Sequence, residues 1–312
     1  MPLHPRNRHP GRYDFDALKA LLPDLIPFVR KNPHGTDSID FANPEAVRTL
    51  NRALLKSYYG IAYWSIPPQF LCPPIPGRGD AIHNLADLLA SSNQGTIPQG
   101  QGIRILDVGV GASCIYPIIG HHEYKWSFVG SEIDLIALES AQEIVNRNNG
   151  LMDAVKLKHQ KSPLKIFDEL LESSDRFDAV ICNPPFHASK MEAQSGTRRK
   201  WENLGKSTQT PLNFGGQANE LWCEGGELGF AQRMINESIR FGSQCFWFTS
   251  LISQSDHLPR VDTLLQRANV EEARILEMSQ GQKKSRIVAW TFLTPPQQQE
   301  WQKSRWKITG SL

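Results

Sequence analysis

The chain reads as an α/β protein: a Rossmann-like, doubly wound sheet with an antiparallel last strand, preceded by a small, mostly helical N-terminal module. Three segments predict this. Ile103-Arg104-Ile105-Leu106-Asp107-Val108 is a short apolar strand running into a glycine turn, Gly109-Val110-Gly111-Ala112. Trp126-Ser127-Phe128-Val129-Gly130-Ser131 is a second strand, and it ends in an acid, Glu132. Phe177-Asp178-Ala179-Val180-Ile181-Cys182 is a third, and it ends in Asn183-Pro184-Pro185-Phe186. Short apolar runs alternating with helix-period stretches argue for parallel strands joined by helices.

Residues 1–75 do not fit that alternation. Between His4 and Arg12 lie three arginines, two histidines and no acid. The stretch is expected to be extended and exposed, with Arg6, Arg8 and Arg12 forming a phosphate-contacting arm that orders on RNA. A helix is expected within residues 14–29, where Leu18, Leu21, Leu22 and Leu25 share a face. A second covers residues 44–58: Asn43 caps it, Pro44 takes the first turn, and Val47, Leu50, Leu54 and Leu55 form its apolar stripe. Residues 67–79 hold Pro67, Pro68, Pro73, Pro74 and Pro76. They read as a semi-rigid crossing segment into the second domain, 76–312.

A helix over residues 81–90 and a polar loop then lead into the first strand, and a short helix follows Ala112. After the second strand, residues 134–148 are helical, with Leu135, Leu138, Ala141, Ile144 and Val145 at helical spacing. A strand over 155–159, a helix near 164–171 and the strand 177–182 follow. Residues 187–226 show little periodicity. This stretch holds Arg198, Arg199 and Lys200 directly downstream of Asn-Pro-Pro-Phe, which predicts a lid or substrate loop. A helix (228–241), an aromatic strand (244–252), a helix (258–268) and two last strands (273–278 and 287–293) complete the pattern. The connector between those last strands carries Lys283, Lys284 and Arg286 and no acid. It is either an RNA-backbone contact or a solvated hairpin tip.

The composition excludes several classes. The chain has 312 residues, 40% of them hydrophobic, enough for a large core. A net charge of +2 gives no global polyanion signal, so any nucleic-acid face must come from local clustering. No apolar run approaches the roughly 20 residues of a membrane span, and the first residues contain no signal-peptide core. The five cysteines are scattered without a C-x-x-C pair, which suggests neither a zinc site nor a disulfide framework. The expected compartment is the cytoplasm.

The strand ends carry the chemistry. Gly109 and Gly111 let the backbone approach a ligand closely. They could equally open a dinucleotide site, although Cys114 stands where the third glycine of G-x-G-x-x-G belongs. Glu132 follows Gly111 by 21 positions and can accept the hydroxyls of a bound ribose. The Asn183 side-chain oxygen and the Pro184 carbonyl can both accept hydrogen bonds from an NH2 group. Phe186 can stack on a flat base, and Pro184 and Pro185 lock the turn before the substrate arrives. Such a pocket suits methylation of a nitrogen conjugated to a ring or carbonyl.

Taken together, the three units resemble a class I S-adenosylmethionine-dependent methyltransferase, in the subgroup that methylates planar amines such as adenine N6. The whole chain is similar to one narrow family, ribosomal RNA large subunit methyltransferase F. The resemblance is carried by His4 to His9, Ser38 to Arg48, Cys72 to Arg78, Leu106 to Pro117, Asn183-Pro184-Pro185-Phe186, and Gly281 to Arg286 before Val288-Ala289-Trp290. Val110 departs from relatives, which often carry Thr there.

The resemblance implies S-adenosyl-L-methionine as cofactor and N6-methylation of an adenosine in 23S ribosomal RNA. The substrate is naked rRNA or a large-subunit assembly intermediate, and the enzyme is a monomer with no membrane partner. It also implies residue roles. Gly109 and Gly111 line the methionine part, Asp107 braces the turn, Glu132 holds the ribose, Arg78 pairs with the carboxylate and Ser162 contacts the cofactor. Asn183 belongs to both the cofactor and the substrate side. An activated sulfonium donor requires no metal. Three rival readings stand beside this one: a protein-glutamine or guanine-N2 methyltransferase, a non-catalytic RNA-binding protein on the same fold, and a nicotinamide oxidoreductase.

Overall fold

A computed structural model describes residues 2–185, 222–280 and 283–306. Its centre is a seven-stranded sheet. The strands are β3 (Arg104–Val108), β4 (Ser127–Glu132), β5 (Val155–His159), β6 (Phe177–Cys182), β7 (Cys245–Ile252), β8 (Glu272–Gln280) and β9 (Lys283–Thr291). Their spatial order is β5-β4-β3-β6-β7-β9-β8. The first five are parallel, and β9 pairs antiparallel with both β7 and β8. The chain reverses direction between β3 and β6, so a crevice opens at their carboxyl ends, where α/β sheets bind ligands.

Side chains alternate across this sheet, because successive residues of a strand face opposite ways. Ile105, Ala179 and Ile181 point into one core, shared with α3 (Ile75–Ser91), α4 (Ile115–Tyr124) and α5 (Leu135–Asn146). Leu106, Val180 and Cys182 point into the other, beneath α7 (Gly226–Ser238) and α8 (Leu258–Arg267). The short α6 (Asn149–Met152) precedes β5.

The N-terminal elements are α1 (Phe15–Leu21), a 3-10 turn (Pro23–Phe28), the hairpin β1 (Val29–Lys31) and β2 (Asp37–Ile39), and α2 (Pro44–Tyr59). As expected, Asn43 caps α2 by accepting from the N–H groups of Glu45 and Ala46, and Gly60 closes it in the left-handed region. Leu50, Leu54, Trp64 and Phe70 join the same core as α3 and α4. The Trp64 indole donates to the Ser113 carbonyl at 2.9 Å, and Asn51 donates to the Pro73 carbonyl at 2.7 Å. The N-terminal module therefore packs directly against the glycine turn.

Four expectations are corrected. The segment around Arg6 is docked, not extended and exposed. Asn7 and His9 are buried, Arg6 pairs with Asp87 and bonds to Tyr124, and Arg8 pairs with Glu123. The proline-rich crossing segment ends earlier than predicted. Pro74 and Pro76 start α3, whose first turns contain Arg78, because proline is tolerated where a helix N–H has no partner. Residues 164–171 are turns, not a helix: Glu169 sits at φ 64°, in the left-handed region, which interrupts a helical run, and the Glu237 carboxylate collects the backbone N–H groups of Ile166, Phe167 and Asp168. Finally, β8 and β9 run on into the expected connector, so Lys283, Lys284 and Arg286 lie on a strand.

The β1–β2 hairpin, α6 and, after β9, the helix α9 (Pro295–Arg305) went unpredicted. The last of these carries Trp301 and Arg305, with Trp306 just beyond, onto the fully buried Asp178 at the start of β6.

Candidate active site

The glycine turn is held by backbone. The N–H groups of Gly109 and Val110 both donate to the Ser131 carbonyl at 2.9 Å. Gly109 and Gly111 sit at φ 75° and 64°, in the left-handed region that favours glycine. Glu132, at the end of β4, accepts from Gly111 N–H at 2.9 Å and from Ile133 and Asp134 N–H at 2.8 and 3.1 Å. Burial pushes its carboxyl up, and those three N–H groups pull it back. Its remaining lone pairs are free for a hydroxyl-bearing ligand.

Asp107 does not brace the turn by hydrogen bonding, as expected of it. It is wholly buried, and among the described residues neither carboxyl oxygen has a hydrogen-bond partner. Burial raises it to about 8, against the pull of the Arg78 guanidinium and with a push from Glu132. An acid raised in the folded state favours folding fully below its unfolded pKa near 4, and that contribution is lost as pH rises through about 8. Asp107→Asn keeps the shape without the titration. It is expected to flatten the fall in stability between those limits, read from denaturant midpoints across pH; an unchanged slope contradicts the assignment.

Arg78 reaches the same place from α3. It donates to the Tyr116 hydroxyl at 2.7 Å and lies over that ring, while its buried Nε has no partner among the described residues.

The crevice is a cavity of about 420 Å³, within the usual size range of a cofactor or small-ligand site. Arg78, Gly109, Gly111, Glu132, Asn183, Pro184 and Pro185 all line it. Ser162 does not: its hydroxyl accepts from Leu164 N–H, and its neighbours Gln160 and Pro163 form the wall instead. Phe186, Arg198, Arg199 and Lys200 lie outside the described residues. The sequence reading missed Tyr116, Gln160, Trp222, Phe230 and Arg233, all on the wall. Gln160 was open to prediction, being a polar residue just past the carboxyl end of β5.

The wall segment 163–166 owes its shape to Glu237. Three N–H groups converge on one of its oxygens, the shortest at 2.6 Å from Phe167. Glu237→Ala is expected to loosen this wall and weaken cofactor binding roughly tenfold, the scale of one lost charged hydrogen bond. Calorimetry with S-adenosylhomocysteine checks it; unchanged affinity shows that the wall stands without Glu237.

The sequence profile of the Methyltransf_10 family, described as RNA methyltransferase, matches residues 1–294. The chain belongs to this family of RNA methyltransferases. It is 57% identical over 307 residues to Ribosomal RNA large subunit methyltransferase F of Yersinia enterocolitica, covering 97% of this chain and 92% of that protein. The Pseudomonas putida protein of the same name is 55% identical over 309 residues, covering 97% of both. Among solved structures, the human METTL16 catalytic domain in complex with the MAT2A 3′UTR hairpin 1 superposes with a TM-score of 0.78 at 29% identity, over 95% of this chain and 97% of that one. The N-terminal domain of human METTL16 in complex with SAH gives 0.75 at 28% identity, over 94% and 100%.

The family brings S-adenosyl-L-methionine as cofactor, and the cavity fits it. Arg78 offers an unpartnered cationic donor for a carboxylate, and Asp107 beneath the turn has two unpartnered oxygens. Glu132 offers acceptors for ribose hydroxyls, and the left-handed glycines keep side chains out of the approach.

Proposed function

We propose that the chain methylates the exocyclic N6 of one adenosine in 23S ribosomal RNA, and that the enzyme works in the cytoplasm as a monomer. The observation that carries this reading is the opening of Asn183, Pro184 and Pro185 onto the same cavity as the glycine turn and Glu132. One pocket thus holds a nucleoside-bearing cofactor and two acceptors for an NH2 group.

When bound, S-adenosyl-L-methionine supplies an activated methyl group. The protein's share is orientation, which is worth up to roughly 7–11 kcal/mol when reacting groups are well placed. The Asn183 side-chain oxygen and the Pro184 carbonyl accept from the two N–H bonds of the amine. This grip turns the nitrogen lone pair out of conjugation with the ring. An adenine must leave its stack to enter, at a cost of a few kcal/mol, so an unpaired adenosine is favoured. Phe186 follows directly in sequence and supplies a ring for the base.

Incubating the purified protein with labelled cofactor and rRNA from cells lacking it, then resolving the nucleosides, tests the reading. Label in N6-methyladenosine supports it; label in a guanosine or in protein glutamine sinks it.

We further assign residues 1–75 and the 283–286 strand end to the RNA-facing side. Arg6 and Arg8 already hold internal acids, so reversing their charge would also undock the segment. Arg12 is exposed, with no ion pair among the described residues. Arg12→Glu is expected to weaken RNA binding a few-fold with cofactor affinity untouched, measured by filter binding; equal RNA affinity removes the arm from the interface.

A further inference from the structure

Three side-chain N–H donors on the cavity wall are buried and lack a hydrogen-bond partner among the described residues: Arg78 Nε, Trp222 Nε1 and Arg233 Nε. A buried donor without an acceptor is costly, so a wall that keeps three of them is built for a ligand rich in acceptors. Arg78 stands on α3, packed with the core on one face of the sheet. Arg233 stands on α7, over the other face, where Ala231, Met234 and Ile235 fill the second core. A methionine-derived cofactor has a single carboxylate. Arg78, beside the glycine turn, accounts for it, and Arg233 is left over.

The surroundings of Arg233 are those of a cation waiting for an anion. Its Nη1 donates to the Glu224 carbonyl at 3.0 Å, its guanidinium lies 5.7 Å from the Phe230 ring centroid, and its side chain also bonds to the Cys223 thiol. Among the described residues no carboxylate pairs with it. Trp222 reaches the cavity through a tight turn in which Gly226 N–H donates to the Cys223 carbonyl, with Gly225 and Gly226 both at positive φ. The fork of a guanidinium matches phosphate oxygens, whereas an indole N–H matches a single neutral acceptor such as a ring nitrogen or a sugar oxygen.

We propose that Arg233 and Trp222 form the subsite for the nucleotide being methylated. Arg233 holds a phosphate flanking the target adenosine, and Trp222 donates to an acceptor on its base or sugar. The proposal rests on the RNA-methylating reading above and names the positioning groups within it.

The test is equilibrium binding of unmethylated 23S rRNA to protein saturated with S-adenosylhomocysteine, over a range of salt. A lost phosphate contact lowers the slope of log affinity against log salt by about one. Arg233→Gln is expected to show that drop and at least a tenfold weaker RNA affinity, with S-adenosylhomocysteine affinity unchanged in calorimetry. Arg233→Lys is expected to restore the slope. Arg78→Gln is expected to do the opposite, losing cofactor affinity and keeping the slope. Trp222→Phe keeps a ring and removes the N–H, and is expected to raise the Kd for RNA without changing the slope. A wild-type slope in Arg233→Gln, or a loss of cofactor affinity there, overturns the proposal. These binding readouts need no methyl transfer. If the nucleoside analysis of the wild-type protein fails, that failure belongs to the proposed reaction and stays separate from this subsite.

Discussion

Asn183→Ala is expected to lower kcat by roughly 10²–10³-fold, the loss seen when one preorganised hydrogen-bonding group is removed from around a reacting centre. The side chain is half-buried at the end of β6 and lines the cavity. Its oxygen is one of two acceptors for the amine, so the variant loses orientation of the nucleophile. It keeps the glycine turn, Glu132 and Arg78, and cofactor affinity is expected to stay within a few-fold of wild type. Asn183→Asp retains an acceptor at the same place and is expected to fall between the two. Single-turnover rates at saturating cofactor and RNA measure this. A kcat for Asn183→Ala equal to wild type removes the amide from the reaction.

The largest loss of stability is expected from Asp178→Ala. This carboxylate is fully buried and accepts from Trp301, Trp306, Nε and Nη2 of Arg305, and the Arg104 backbone N–H, at 2.7 to 3.0 Å. Removing it takes the ion-pair partner from a half-buried guanidinium, strands two buried indole donors and frees the C-terminal helix from the sheet. Breaking a buried charged pair in this way costs roughly 3–5 kcal/mol. At about 2–4 °C per kcal/mol for a domain of this size, the midpoint should fall by about 10 °C. Asp178 lies at the start of β6, five residues and about 16 Å of strand from Asn183. Well below the midpoint, kcat should therefore hardly change. The contrast with Asn183→Ala separates holding the strand from using its end. A melting midpoint equal to wild type would show that α9 docks without this carboxylate.

The parts of this molecule that were readable in the sequence are those whose physics is local. The strands around Leu106, Val129 and Val180 announce themselves by apolar runs, and α2 by its Asn43 cap and Pro44. The wall residues Gly109, Gly111, Glu132 and Asn183 sit where a strand ends, so finding the strands finds them. What escaped depends on partners far away in the chain. Arg6 looks free until Asp87 and Tyr124 are placed beside it. Residues 164–171 have helical periodicity, yet Glu169 turns left-handed and the N–H groups of residues 166–168 close on Glu237, some 70 positions downstream. Trp222 and Arg233 reach the cavity through a glycine turn and a helix face that no local pattern ties to Asn183. The C-terminal helix was legible and passed over: Thr294, Pro295 and Gln297 form a capping box with proline in the first turn.

The central claim is that the amide at the end of β6 faces both the methyl donor and the exocyclic nitrogen of adenine. A crystal structure of the protein with S-adenosylhomocysteine and an adenosine-containing substrate RNA tests it most directly. The account predicts the adenine amine within hydrogen-bond distance, about 3 Å, of both the Asn183 side-chain oxygen and the Pro184 carbonyl, with its nitrogen aimed at the cofactor sulfur. An amine bound elsewhere, or a different base in the pocket, would contradict it.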